Sequence, residues 1–155
     1  MALGRSGSFE LGTDGPLVIL VGVDDSTTSL RAASYAAGLA RRQRARLTAV
    51  FVAPVASLGM AAPGAAGLAA ARQQTSTELA EDLRRRFEGA TEELGVQVTF
   101  LVAEGDPYTE IRRIADEIRA DAVVVGASTQ AGHRLIGSLA VRLVRAGRWP
   151  VTVVP

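Results

Sequence analysis

The chain contains no cysteine, no lysine and a single histidine. Without cysteine there is no disulfide, no thiolate metal ligand and no cysteine nucleophile, and redox logic leaves the compartment open. Without lysine, all 17 basic residues are arginine, which removes Schiff-base chemistry, attachment of pyridoxal phosphate and the phosphate-contacting lysine of P-loop enzymes. One histidine, His133, is too few for a multi-ligand zinc site and leaves a Ser-His-Asp triad without an anchor. No apolar run approaches the roughly 18 residues that span a bilayer. Residues 1–15 lack the apolar core of a signal peptide, so the expected location is cytoplasmic, with no membrane partner. A net charge of +1 makes no field that would draw nucleic acid.

What is present is enough apolar surface for one core, since 48% of the 155 residues are hydrophobic and 21% are charged. Residues 1–15, rich in glycine and small polar side chains, read as a loose tail, and residues 16–155 as the domain. "LVILVGV" (residues 17–23) is a continuous β-branched run, the mark of a strand buried on both faces. Residues 27–44 follow as an amphipathic helix with Leu30, Ala33, Ala37 and Ala40 at helical spacing, and "RLTAVFVAP" as a second strand. Residues 54–67, dominated by alanine, glycine and proline, read as a mobile surface loop. Leu79, Leu83, Phe87 and Leu94 stripe a long second helix that stops at Gly95. "VQVTFLVAEG" is the third strand. Asp106 and Pro107 suit a helix start, and Ile111, Ile114, Ala115 and Ile118 supply that helix's apolar face. "DAVVVG" is the fourth strand, Ser138–Ala146 the last helix with Gly147 after it, and "PVTVV" the fifth strand.

The alternation of strand and helix implies an α/β fold, a doubly wound five-stranded parallel sheet with helices on both faces. Such sheets take ligands at the carboxyl ends of the strands where the winding reverses. Two strand ends carry chemistry: the first, with Asp24, Asp25 and Ser26, and the fourth, with Gly126 and the stretch "ASTQAGHRLIGS" that leads to a new helix at Ser138. A helix N-terminus presents unpaired N–H groups and a positive dipole end to an anion.

"VGVDDSTTSLRAASYAAGLA", "AEGDPYTEIRRIADEIRADAVVVGAS", "GSLAVRLV" and "RWPVTVV", in that order and spacing, resemble the universal stress protein family from about residue 17 to residue 154. The resemblance implies strand order 3-2-1-4-5, which makes the first and fourth strands neighbours, and a homodimer paired through the last strand. It also implies a stress-response adaptor or regulator acting with an unidentified protein partner. In ATP-binding members a glycine after the fourth strand is followed by two residues, a second glycine, nine residues, then Gly with Ser or Thr. Here Gly126 matches the first glycine, and Gly137 and Ser138 the final pair. Thr129 stands in place of the second glycine, and only ten residues separate Gly126 from Gly137 where the ATP pattern has twelve. The shorter loop resembles the A-type members that do not bind ATP, although those often lack the Gly-Ser pair.

The residues the resemblance singles out each have two readings. Asp24 resembles the aspartate that contacts adenine, and equally suits a helix cap or turn. Val52 resembles the position whose backbone faces the base, and is also an ordinary core valine. Gly126 and Gly132, the latter standing in for the missing glycine, either line a phosphate loop or merely turn the chain. Gly137 and Ser138 either hold phosphate or, through Ser138, cap their own helix. Two functions follow: an adaptor that binds nucleotide weakly or not at all, and a sensor that binds ATP with Mg, or AMP, with at most slow hydrolysis. No catalytic constellation emerges. A phospho-receiver domain is disfavoured, because the third strand ends "AEGDP" without the receiver's aspartate and lysine is absent.

Overall fold

The central apolar runs become strands because they must bury both of their faces. In the computed structural model, which describes residues 15–55, 64–128 and 137–155, the elements run β1 (Val18–Gly22), α1 (Thr27–Gln43), β2 (Arg46–Ala53), α2 (Ala65–Leu94), β3 (Val98–Glu104), α3 (Pro107–Glu117), β4 (Ala122–Gly126), α4 (Ser138–Ala146) and β5 (Val151–Val154). The five strands form one parallel sheet in the order β3-β2-β1-β4-β5, as the resemblance implies. On β1, Ile19 is level with Leu47 of β2 and Ala122 of β4, and Val21 with Ala49 and Val124.

The two-residue period of the strands sorts their side chains into two cores. Ile19 and Val21, with Leu47, Ala49, Phe51 and Val124, face α1 and α2. Leu20, Val50, Val123 and Val125 face α3 and α4, meeting Ile111, Ile114 and Leu143. Neither face of the sheet's centre is left to water, which is why β1 and β4 read as unbroken hydrophobic runs.

α1 lies on the sheet through Ala32, Ala33, Ala36 and Ala40, with Thr28 and Ser29 also buried. This corrects the expected stripe: Leu30 and Ala37 are only partly buried at its side. Small side chains let the helix backbone settle closer to β1 and β4 than leucine would allow. α1 ends at Gln43, one residue earlier than expected, because Arg44 takes the left-handed capping conformation (φ 54°). Residues 65–67, read as loop, are the first residues of α2, a helix of 30 residues; their alanines favour helix. Gly95 ends it at φ 62°, as expected. Residues 56–63 of the expected loop, and the tail as far as residue 14, lie outside the described residues.

α2 buries Ala80, Leu83 and Phe87 against the sheet, with Leu79 partly buried beside them and Phe87 stacked on Phe100 at 5.6 Å between ring centroids; Leu94 of the expected stripe is exposed. Leu83 is fully buried, so it carries most of this docking. Leu83→Ala is expected to destabilise the protein by about 2–5 kcal/mol, the range for an unrelaxed core cavity, measured as a shift in urea unfolding midpoint at unchanged slope.

Candidate functional site

β1 and β4 lie side by side at the point where the sheet's winding reverses, and their carboxyl ends open a crevice of about 440 Å³. That volume is within the roughly 300–1,000 Å³ of small-molecule sites. Its walls come from the exits of β1 and β4, the start of α1, Val50 and Val52 of β2, Pro107 and Ile111 of α3, and the start of α4. Asp24, Val52, Gly126, Gly137 and Ser138 all line it. Gly132 lies outside the described residues, as do Thr129, His133 and Arg134.

The turn after β1 is built by hydrogen bonds among its own short polar side chains. The Ser26 N–H donates to Asp24 Oδ1 at 3.0 Å, and the Asp24 N–H donates to Ser29 Oγ at 3.1 Å. Ser26, in turn, is the N-cap of α1: its Oγ accepts from the Ser29 N–H at 3.2 Å. Asp24 therefore braces the turn, and Asp25 follows in the left-handed region at φ 64°. Burial against the crevice raises the Asp24 pKa, but hydrogen bonds from Ser26 and Ser29 outweigh it and hold the carboxyl below its ordinary value. Asp24 is thus ionised at neutral pH, an acceptor at the crevice wall. It is the one ionisable side chain among the described lining residues.

Gly126 does more than turn the chain. A Cβ placed there would stand 2.6 Å from both Ser29 N and Thr28 C, closer than atoms tolerate, and those are backbone atoms that cannot swing away. Only glycine lets the first turn of α1 rest against the end of β4. The contact is fastened by Thr28, whose Oγ1 donates to the Ala127 carbonyl at 2.7 Å. Gly137 repeats the device, since a Cβ there would meet Ser128 Cβ at 2.7 Å.

The capping reading of Ser138 is not what the structure shows. The N-cap of α4 is Gly137, with no side-chain capping bond, and Ser138 is the first helical residue, exposed. The first turn closes with the Val141 N–H on the Gly137 carbonyl at 3.1 Å. The N–H groups of Ser138, Leu139 and Ala140 therefore precede the helix's own ladder, beside the Ser138 hydroxyl. This is an anion-accepting end facing the crevice. Val52 is half-buried in the wall next to Val50, an apolar surface for a flat group.

Sequence reasoning missed Thr28, the tie between α1 and β4, and the wall supplied by Pro107 and Ile111. Thr28 sits in a polar run at a helix start, and nothing local distinguishes a threonine that reaches across to another strand from one that faces water. Among the described residues no group of three or more His, Cys, Asp or Glu is arranged to hold a metal ion.

These features define a doubly wound α/β domain with a ligand crevice at its switch point and one anion-accepting helix end. The chain belongs to the universal stress protein family, which matches residues 17–155. It is 30% identical over 139 residues to a universal stress protein of Methanocaldococcus jannaschii, covering 88% of this chain and 80% of that one. Among solved structures it is similar to the universal stress protein UspA from Lactobacillus plantarum, with TM-score 0.76, 25% identity, and coverage of 89% of this chain and 97% of that one. A universal stress protein in complex with cAMP matches with TM-score 0.67 and 25% identity over 90% of this chain and 97% of its own.

Gly126→Ala is expected to lower stability by about 1–3 kcal/mol, the cost of forcing an extra carbon into a closed contact. Thermal unfolding measures it, and an unchanged midpoint would show that the α1–β4 contact has slack.

Proposed function

We propose that the protein is a non-catalytic stress-response regulator whose crevice takes an adenine nucleotide weakly, AMP in preference to ATP. The observation that carries this reading is the gathering of Asp24, Val52, Gly126, Gly137 and Ser138 around one crevice, with the free end of α4 at one side and a carboxylate and an apolar wall at the other. Asp24 supplies an acceptor for an exocyclic amine, Val52 a surface for a base, and α4 a seat for phosphate. A relative of similar fold holds cAMP, a nucleotide with a single phosphate.

The electrostatics favour one phosphate over three. A helix N-terminus is worth roughly half an elementary charge, and the described lining adds no cation to it while including ionised Asp24. The stretch from Gly126 to Gly137 is also two residues shorter than the ATP-binding pattern. Turnover is not part of the reading; ATP with Mg, and slow hydrolysis, form its alternative.

Calorimetry tests this. AMP is expected to bind with a Kd on the order of 0.1–1 mM, roughly 4–5.5 kcal/mol, and ATP more weakly still. No heat at several millimolar AMP would remove the nucleotide and leave the adaptor. Tight ATP binding would favour the ATP sensor instead.

The second part of the proposal is a cytoplasmic homodimer paired through β5, presented to an unidentified regulatory protein. Among the described residues β5 pairs only with β4, and all four of its residues, Val151–Val154, are half-buried, so the strand leaves an apolar edge that invites a second chain. Sedimentation is expected to give a dimer, and Val153→Arg to shift it toward monomer; a monomer at high concentration would overturn this part.

A further inference from the structure

At the crevice mouth two helices begin side by side, α3 at its N-cap Asp106 and α4 at Gly137. Between them lies Arg142. It sits four residues after Ser138, one turn or about 6 Å down the same face of α4, and helical side chains of this length lean back toward the N-terminus. Its guanidinium lies 4.1 Å over the Tyr108 ring, and its Nη1 reaches Asp106 Oδ1 at 3.2 Å and Oδ2 at 3.3 Å. The neighbours of this contact, Pro107 on α3 and Leu139 and Ala140 on α4, are crevice wall. A full positive charge is thus held by residues adjoining the wall of a site whose described lining has none.

We infer that Arg142 is the cation that answers a phosphate seated on α4, and that Asp106 holds it in reserve until the phosphate arrives. The inference rests on the nucleotide reading of the crevice and names which residue of this chain distinguishes a nucleotide from a nucleoside there.

Three observations make the exchange cheap. The pair is half-exposed on both sides, 49% for each side chain, and exposed ion pairs contribute little. Asp106 keeps its other partners when Arg142 leaves, because its Oδ2 accepts from the Thr109 N–H at 3.0 Å and the Thr109 hydroxyl at 2.8 Å. Those bonds, with the smaller help of Arg142, hold the carboxyl below its usual value, so it stays ionised without its cation. Against this, Arg142 meets Asp106 through Nη1 alone, whereas a phosphate carries more negative charge than a carboxylate and offers oxygens to both arms of the guanidinium fork. A phosphate on α4 would therefore outcompete Asp106.

The test is titration of the full chain with AMP and with adenosine, for the wild type and two variants, with thermal unfolding of each. Arg142→Gln is expected to weaken AMP about tenfold and leave adenosine unchanged. Asp106→Asn still caps α3, since asparagine is an equally good cap, but no longer competes for the guanidinium, and is expected to tighten AMP about threefold with adenosine unchanged. If Arg142 only packed α3 against α4, both variants would weaken AMP and adenosine alike, and that result overturns the inference, as does unchanged AMP affinity in Arg142→Gln. Equal wild-type affinity for AMP and adenosine also overturns it while sparing the crevice. If the wild type binds neither, the nucleotide reading fails and takes this one with it. Should Arg142→Gln unfold, the Asp106→Asn arm decides alone.

Discussion

The first turn of α1 rests against the end of β4 with no room between them for a single carbon atom. Gly126 makes that possible, and Thr28 fastens it by bonding to the Ala127 carbonyl. Everything at the crevice depends on this contact. It fixes how far the turn after β1 stands from the segment after β4, and hence how wide the opening is that Asp24 and Ser138 share. A larger residue would push the helix and the strand end apart and separate the two halves of the site.

The same need for close approach runs through the fold. α1 meets β1 and β4 through alanines, and its two buried polar residues near the start are Thr28, bonded across to the Ala127 carbonyl, and Ser29, bonded within the turn after β1. Gly137 meets Ser128 as Gly126 meets Thr28 and Ser29, so α4 is drawn in from the opposite side in the same way. The opposite face is filled by larger groups, Ile111, Ile114 and Leu143, because α3 and α4 need only cover the sheet there. Close contacts on small residues therefore set the geometry of the site, while larger groups on both faces, Leu83 and Phe87 as well as Ile111 and Leu143, supply stability.

This division explains what the sequence disclosed. The strands were legible because a parallel sheet covered on both faces needs continuous apolar runs, and "LVILVGV" and "DAVVVG" are such runs. The caps at Asp106, Gly95 and Gly147 were legible because their chemistry is local. The face of α1 was legible in part: Ala33 and Ala40 are buried as expected, but Ala32 and Ala36 complete the contact while Leu30 and Ala37 flank it, because hydrophobic periodicity weights leucine above alanine whereas the contact selects for smallness. Ser138 was read as a possible cap because serine commonly is one, yet Gly137 takes the position and leaves the hydroxyl to the crevice. Nothing in the local sequence sets Arg142 apart from a solvated helix arginine. Only the fold brings Asp106 and Tyr108, more than 30 residues earlier, beneath its guanidinium.

Position within the fold also bears on what a bound phosphate would do. α4 runs from its crevice end straight to Gly147 and then into β5 within a few residues, and Val123 of β4 takes the Pro150 carbonyl as its acceptor at 3.0 Å. The helix that would seat the phosphate is thus directly continuous with the strand at the sheet's edge. On the proposed reading, ligand at one end of α4 and a second chain at β5 act on a single rigid element, so a ligand that favours one placement of α4 changes the edge by as much as it discriminates between placements, and no more. An exposed anion on a helix end is worth about 0.3–1 kcal/mol. The coupling this alone supports is a severalfold change in pairing, graded with nucleotide level, which suits a regulator better than an all-or-none switch.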